Sequence, residues 1–195
     1  MGLIMTAPQG GYELLPEGIY PAVCYMVADI GEQYNKKYDK WTRKVIIGWE
    51  IQDEFVTNEA GEQQPRTIHG FYSQSTHENS QIRQMLENWR CKRFSEDEIK
   101  AFDLTKIVGL GCQIQIGHYT KDNGNTSEDV TSVVMLPKGV PAPVATKKII
   151  FDMDTDMDKL DEMPKVVKIC VEKSRQFTAV EPEVTPFPDD QDLPF

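Results

Sequence analysis

The run Arg66-Thr-Ile-His-Gly-Phe-Tyr-Ser-Gln-Ser75, followed by Glu78-Asn-Ser-Gln-Ile-Arg-Gln-Met-Leu-Glu-Asn-Trp89, changes its period part-way. The first piece carries β-branched and aromatic residues and reads as a strand. In the second, Ile82, Met85, Leu86 and Trp89 recur at steps of three and four, an apolar stripe along a helix from about Glu78 to Trp89. A strand handing over to a helix, in a chain that otherwise alternates like a sheet, restricts the folds available.

Upstream, Gly18 to Ile30 reads as a first strand, with Pro21 near its start where an edge strand tolerates a missing donor. Trp41 to Gln52 is a second, with Arg43, Val45, Ile47, Trp49 and Ile51 on one face and Thr42, Lys44, Ile46, Gly48 and Glu50 on the other. Asn58-Glu-Ala-Gly61 marks the turn into the third. Downstream, Ser95 and Glu98 form a capping box for a short helix to about Phe102, and Asp103 is placed to cap a further turn through Val108. Cys112 to Thr120 and Ser127 to Leu136 read as two strands joined by Asp122-Asn-Gly-Asn125, a hairpin signal. Pro141-Ala-Pro143 is a stiff connector to an added strand, Lys147 to Phe151. An amphipathic helix is expected around Lys165 to Arg175, with Pro164 at its first turn.

Strand, strand, strand, helix, strand, strand is the element order of the OB-fold. The expected class is therefore mainly β: a five-stranded OB-fold barrel with a helical insertion between strands 3 and 4, plus a C-terminal amphipathic helix and a disordered acidic tail. Residues 1–140 would form the OB-fold domain, 141–178 a linker with the extra strand and helix, and 179–195, with four prolines, the tail.

At 195 residues and 39% hydrophobic the chain can bury a core, and no apolar run approaches the ~18 residues of a membrane span. A soluble intracellular protein is expected. Cys24, Cys91, Cys112 and Cys170 include no C-x-x-C pair, which argues against zinc, and Cys24 and Cys112, inside alternating apolar runs, are expected to be buried reduced thiols. Asp152-Met-Asp154-Thr-Asp156-Met-Asp158 begins like a calcium loop, but Met157 stands where glycine is needed and Met163 where a bidentate Glu is needed. It reads as a solvated acidic connector. No metal site, cofactor or catalytic constellation is indicated, and no enzyme activity is expected.

The net charge of −10 opposes nucleic-acid binding at first sight. Its distribution changes that reading, because residues 151–195 hold twelve acids against five bases, which leaves the rest of the chain nearly neutral. Within that body, Tyr34-Asn-Lys-Lys-Tyr-Asp-Lys-Trp-Thr-Arg-Lys44 sets Lys36, Lys37, Lys40, Arg43 and Lys44 against the single acid Asp39. Tyr34, Tyr38 and Trp41 interrupt the bases. Cations with interleaved rings suit single strands, supplying phosphate neutralisation and π-faces for unpaired bases. On an OB-fold this stretch would be the loop between the first two strands, beside a binding face carrying Trp49, His69, Phe71 and Tyr72, with Tyr119 and Lys121 on the fourth-to-fifth-strand loop. A second cluster, Trp89-Arg90-Cys91-Lys92-Arg93-Phe94, adds Arg90, Lys92 and Arg93.

The segment Pro188-Asp189-Asp190-Gln191-Asp192-Leu193-Pro194-Phe195 joins acids to an apolar end. Here the chain resembles the single-stranded DNA-binding proteins, whose C-terminal tips are acidic and finish in Pro-Phe; Asp189, Asp190, Asp192, Leu193, Pro194 and Phe195 match that tip. The body is similar to the bacteriophage branch in Leu15-Pro-Glu-Gly-Ile-Tyr20, in Arg43-Lys-Val-Ile-Ile-Gly-Trp-Glu-Ile51, and in His77-Glu-Asn-Ser-Gln-Ile-Arg83 leading to Trp89-Arg90 and Arg93-Phe94. Cys91 stands where that pattern has glycine. The resemblance covers about residues 15–139 plus the tip. It implies an OB-fold that coats single-stranded DNA without sequence preference in phage replication, recombination and repair, in the cytoplasm of an infected bacterial host, with a tip that recruits replication or recombination proteins.

Five neutralising bases imply a log-log salt slope of roughly −3 to −4. The tip is also expected to occupy the basic groove as a phosphate mimic, so that removing residues 179–195 would tighten DNA binding. Self-association is open, symmetric oligomers being common among strand-coating proteins. The rival reading is an acidic protein-interaction adaptor or DNA mimic acting on phage or host replication and recombination proteins. A divalent-metal nuclease built on the Asp run is the weakest alternative.

Overall fold

The computed structural model describes residues 14–178 except Lys37, Glu59 and Asp122. The candidate Lys37, the turn residue Asp122 and the tip Asp189–Phe195 thus lie outside the described residues. The architecture is mainly β. Three strands, β1 (Gly18–Asn35), β2 (Lys40–Thr57) and β3 (Gln63–Ser73), precede helices α1 (Gln81–Arg90) and α2 (Glu96–Lys100) and a 3-10 turn, Leu104–Ile107. Strands β4 (Gly111–Thr120), β5 (Thr126–Val134) and β6 (Ile149–Phe151) follow. The last elements are a second 3-10 turn, Met157–Glu162, and helices α3 (Lys165–Glu172) and α4 (Arg175–Thr178).

The sheet order is β3-β2-β1-β4-β5, all neighbours antiparallel, with β6 added parallel to β1. The first strand is thus central rather than an edge. Pro21 falls just outside the β1–β2 ladder, which starts at Ala22↔Ile51. On the other edge of β1, the ladder to β4 stops at Val23↔Gly111 and β6 takes over from Met26 to Ala28.

The sheet curls into a half-barrel until β3 and β5 approach each other. Arg66 on β3 reaches both carboxylate oxygens of Glu128 on β5 at 3.1 Å, with both side chains buried. The Leu15 amide donates to the same carboxylate at 2.9 Å. The concave side is filled by Val45, Ile47, Trp49, Ile51, Ile114 and Ile116, closed by the stripe Ile82, Met85, Leu86 and Trp89 of α1. This is the stripe legible in the sequence, and Ser80 caps the helix through the Arg83 amide.

A second core lies on the convex face. Tyr25, Met26, Ala28, Ile30 and Ile46 pack there against Phe151, Met153, Val167 and Val171. Residues 145–178, expected as a linker with appended elements, therefore cover the outside of β1 and β2. Burial on both faces explains why these strands are apolar on both, a pattern usual where helices or loops cover each side of a sheet. Cys24 and Cys112 lie in the concave core, and burial pushes the Cys24 thiol up to about 12.

The capping box at Ser95 and Glu98 is formed reciprocally, and Asp103 accepts from the Thr105 amide. At the carboxyl end of α1, Cys91 adopts φ 50°, the left-handed conformation that favours glycine. Two outcomes follow. Glu128→Ala removes the carboxylate paired with the buried Arg66 guanidinium and should cost about 3–5 kcal/mol in urea unfolding. Cys91→Gly should raise stability by roughly 0.5–1 kcal/mol in the same measurement, by relieving the left-handed backbone.

Candidate nucleic-acid interface

β1 and β2 continue beyond the half-barrel as a two-stranded arm. Their ladder is irregular between Asp29 and Glu32, then resumes as Glu32↔Arg43, Gln33↔Thr42, Tyr34↔Trp41 and Asn35↔Lys40. The basic-aromatic stretch, expected as a loop, is thus mostly paired strand. Among the described residues only Lys36, Tyr38 and Asp39 lie in the turn, closed by the Tyr38 amide on the Asn35 carbonyl at 3.2 Å. Asp39 holds φ 48°, tolerable for a short polar side chain, and accepts a hydrogen bond from the Tyr34 hydroxyl.

The arm displays its rings. Tyr34, Tyr38 and Trp41 are 47%, 61% and 37% exposed. Tyr34 and Trp41 form a cross-strand pair with centroids 5.4 Å apart and planes tilted by 54°. Lys40 Nζ lies 5.8 Å from the centre of the Tyr38 ring, and Lys36 is exposed at the turn. Cations and π-faces are therefore interleaved in space as well as in sequence.

Arg43 has a different environment. Its guanidinium donates to Asp29 Oδ2, through Nε at 2.8 Å, and to Asp154 Oδ2 at 2.6 Å. Hydrogen bonds to Asp29 and then Asp154 push its pKa further up, so its charge is permanent but already answered. The carboxylates of Asp29, Asp152 and Asp154 converge within 4.8 Å of one another, and Arg43 binds two of them. The acidic connector is an ordered turn here, since Asp152 accepts from the Asp154 amide and Asp156 from the Asp152 amide.

The strand residues sort by face. Trp49 is fully buried, 6.5 Å from Trp89 between ring centres, and Tyr72 is core, burial raising its phenol pKa. Neither ring is available for stacking. Phe71 is exposed, paired with Ile46 one pleat beyond the Lys44↔Ser73 pair. His69 is enclosed, its Nε2 2.8 Å from the Tyr25 hydroxyl. Burial, and then the Lys147 cation, lower its pKa to about 4, so at physiological pH it carries no charge to set against a phosphate.

The remaining candidates lie elsewhere. Tyr119 and Lys121 sit at the β4–β5 hairpin, beyond the Gly18↔Ile116 pair and so at the opposite end of β1 from the arm. Arg90 and Lys92 are held by Glu98 at 3.3 and 3.5 Å, Arg90 also over the Phe94 ring; exposed Arg93 follows them. They flank Trp89, whose indole donates to Gly111 near the middle of β1. Tyr34 and Trp41 share one face of the arm, Lys36 and Tyr38 are exposed at its turn, and Lys40, Lys44 and Phe71 fall on the alternate face. Sequence reasoning did not find exposed Phe55 on the β2–β3 hairpin, because Gln52, Asp53 and Glu54 precede it and no basic residue marks it. No helix among the described residues is long and apolar enough to cross a membrane.

Comparison with known protein families, curated proteins and solved structures finds no match to this chain.

His69 has a pH signature. Its folded pKa is depressed, so the unfolded state binds the proton first and stability falls as pH drops from about 6.5 toward 4. Urea midpoints should decline between pH 6.5 and 5, ahead of the carboxylates, and His69→Gln should flatten that decline.

Proposed function

We propose that this chain is a single-stranded DNA-binding protein of the phage type, built on an OB-fold, that coats strands without sequence preference in replication, recombination and repair. The observation that carries the reading is the basic arm with its exposed Tyr34–Trp41 pair. Strand order supports the fold assignment, since β3-β2-β1-β4-β5 with β3 approaching β5 and a helix between β3 and β4 is the connectivity of that barrel.

In this reading Tyr34, Tyr38 and Trp41 stack bases, and Phe71 extends the path down β3. Lys36, Lys40 and Lys44, together with Lys37, neutralise phosphates. Arg43 serves instead as the rivet between the arm and the acidic connector. The covered convex face directs the strand along the arm and past exposed Phe71 rather than across the centre of β1 and β2. The tip Asp189–Phe195 recruits partner proteins.

The adaptor reading draws support from the net charge of −10 and from the acids that already answer Arg43. Titration with nucleic acid separates the two.

Trp49 and Trp89 are buried, so Trp41 is the tryptophan a bound strand can quench. A thymine oligonucleotide should quench intrinsic fluorescence and duplex DNA should not, with Trp41→Phe abolishing the signal. Four bases give a salt slope near −3, which each of Lys36→Ala, Lys40→Ala and Lys44→Ala should reduce by about 0.7. Tyr34→Ala should weaken binding by about 1–3 kcal/mol. No quenching and no mobility shift would transfer the assignment to the adaptor.

A further inference from the structure

Beyond the Arg66–Glu128 pair, β3, β5 and α1 frame an open pocket of about 310 Å³. That is the lower end of the roughly 300–1,000 Å³ range of small-ligand sites. Tyr72, Met85, Val130 and Val133 supply apolar wall, and exposed Phe71 borders it on the β3 side. Polar groups complete the lining: Gln81, Gln84 and Asn88, at steps of three and four along α1, and Asp129 and Ser132 on β5. Among the described residues, no side-chain hydrogen bond engages the three amides, so each offers two donors and an acceptor to a ligand.

Asp129 is the one acid of this pocket. Its Oδ1 accepts the Val130 amide at 2.8 Å, which holds the carboxylate in place and leaves lone pairs open on both oxygens. Gln84 and Asn88 also line the adjoining cleft along α1, about 650 Å³, where Lys92 and exposed Arg93 stand. The acids of that cleft are Glu78 and Glu87, the latter already bonded by Arg83 Nε and by the Phe94 amide, both at 3.0 Å. Lys92 and Arg93, which the arm leaves unused, thus border the same groove. A carboxylate so close to cations suited to phosphates repels a strand unless it accepts from a base.

We infer that the pocket between α1, β3 and β5 takes one guanine base of a bound strand, splayed out of the stack. Guanine alone among the four bases sets two donors side by side, N1–H and the N2 amino group, to meet the two oxygens of a carboxylate. Adenine, cytosine and thymine each place an acceptor next to their donor, which Asp129 repels. The guanine O6 and N7 accept from the Gln84 and Asn88 amides, its faces meet the apolar walls, and Lys92 and Arg93 lie along the groove for the neighbouring phosphates. This site rests on the single-strand reading proposed above and adds one base-reading position to a path otherwise indifferent to sequence. It lies off the arm, on the side of the half-barrel that α1 closes.

The test titrates the full chain, by fluorescence anisotropy, with a labelled thymine oligonucleotide and with the same oligonucleotide carrying a single central dG, dA or dC. The dG strand should bind about tenfold tighter than the all-thymine strand, and the dA and dC strands within about twofold of it. Asp129→Asn and, at an exposed helix position, Gln84→Ala should each cut the dG advantage to about threefold or less, with unfolding midpoints retained. Tyr34→Ala should weaken all four strands alike and leave the advantage intact. In NMR spectra the side-chain amides of Gln84 and Asn88 should shift with the dG strand and not with the thymine strand. Equal binding of the four strands, or a dG advantage that survives both Asp129→Asn and Gln84→Ala, overturns the guanine site and leaves the single-strand reading standing. Binding of none of them overturns both.

Discussion

The pairing of Arg66 with Glu128 is the constraint on which the architecture depends. A curled sheet of five strands ends in two edges, and open edges are sites of unwanted pairing unless covered or joined. Here the edges meet through a bidentate, buried ion pair that also holds the Leu15 amide. Burying two charges is costly, and partnering each with the other is what makes the arrangement tolerable. With the edges drawn together, the concave side becomes a closed volume that the apolar stripe of α1 can fill.

The central pair β1 and β2 then serves two cores. Its concave residues meet α1, and its convex residues meet β6 and α3. Beyond the irregularity at Asp29 the same two strands run into solvent, and there their side chains change from Val, Ile and Met to Lys, Tyr and Trp. Arg43 marks the boundary. By binding Asp29 on β1 and Asp154 on the connector, it locks the arm to the segment that covers the convex face. The rings on the arm are therefore presented from a base that Arg43 ties to the connector.

Much of the secondary structure was legible in the residues. The strands, the α1 stripe, the capping box at Ser95, the Asp103 cap and the strand and helix after Pro143 occur close to their expected places, because each is set by local chemistry or by period. The arm was misjudged as a loop, since Asn, Lys and Asp within it look like turn residues and only the ladder shows that Asn35 and Lys40 are paired. The position of Cys91 is similar: its departure from glycine is visible in the sequence, while its left-handed backbone belongs to the fold.

The sequence by itself determined which segments are strand or helix and which stretch carries bases among aromatic rings, because periodicity and composition are properties of neighbouring residues. Tertiary structure alone decided that Trp49 and Tyr72 are core while Phe71 faces outward, that His69 is enclosed by Tyr25, that Arg43 is answered by carboxylates 14 and 111 residues away in sequence, and that residues 145–178 cover the convex face. The physical reason is that alternation along a strand separates its two faces without saying what covers either one. Burial and charge pairing are set by contacts between segments distant in the chain.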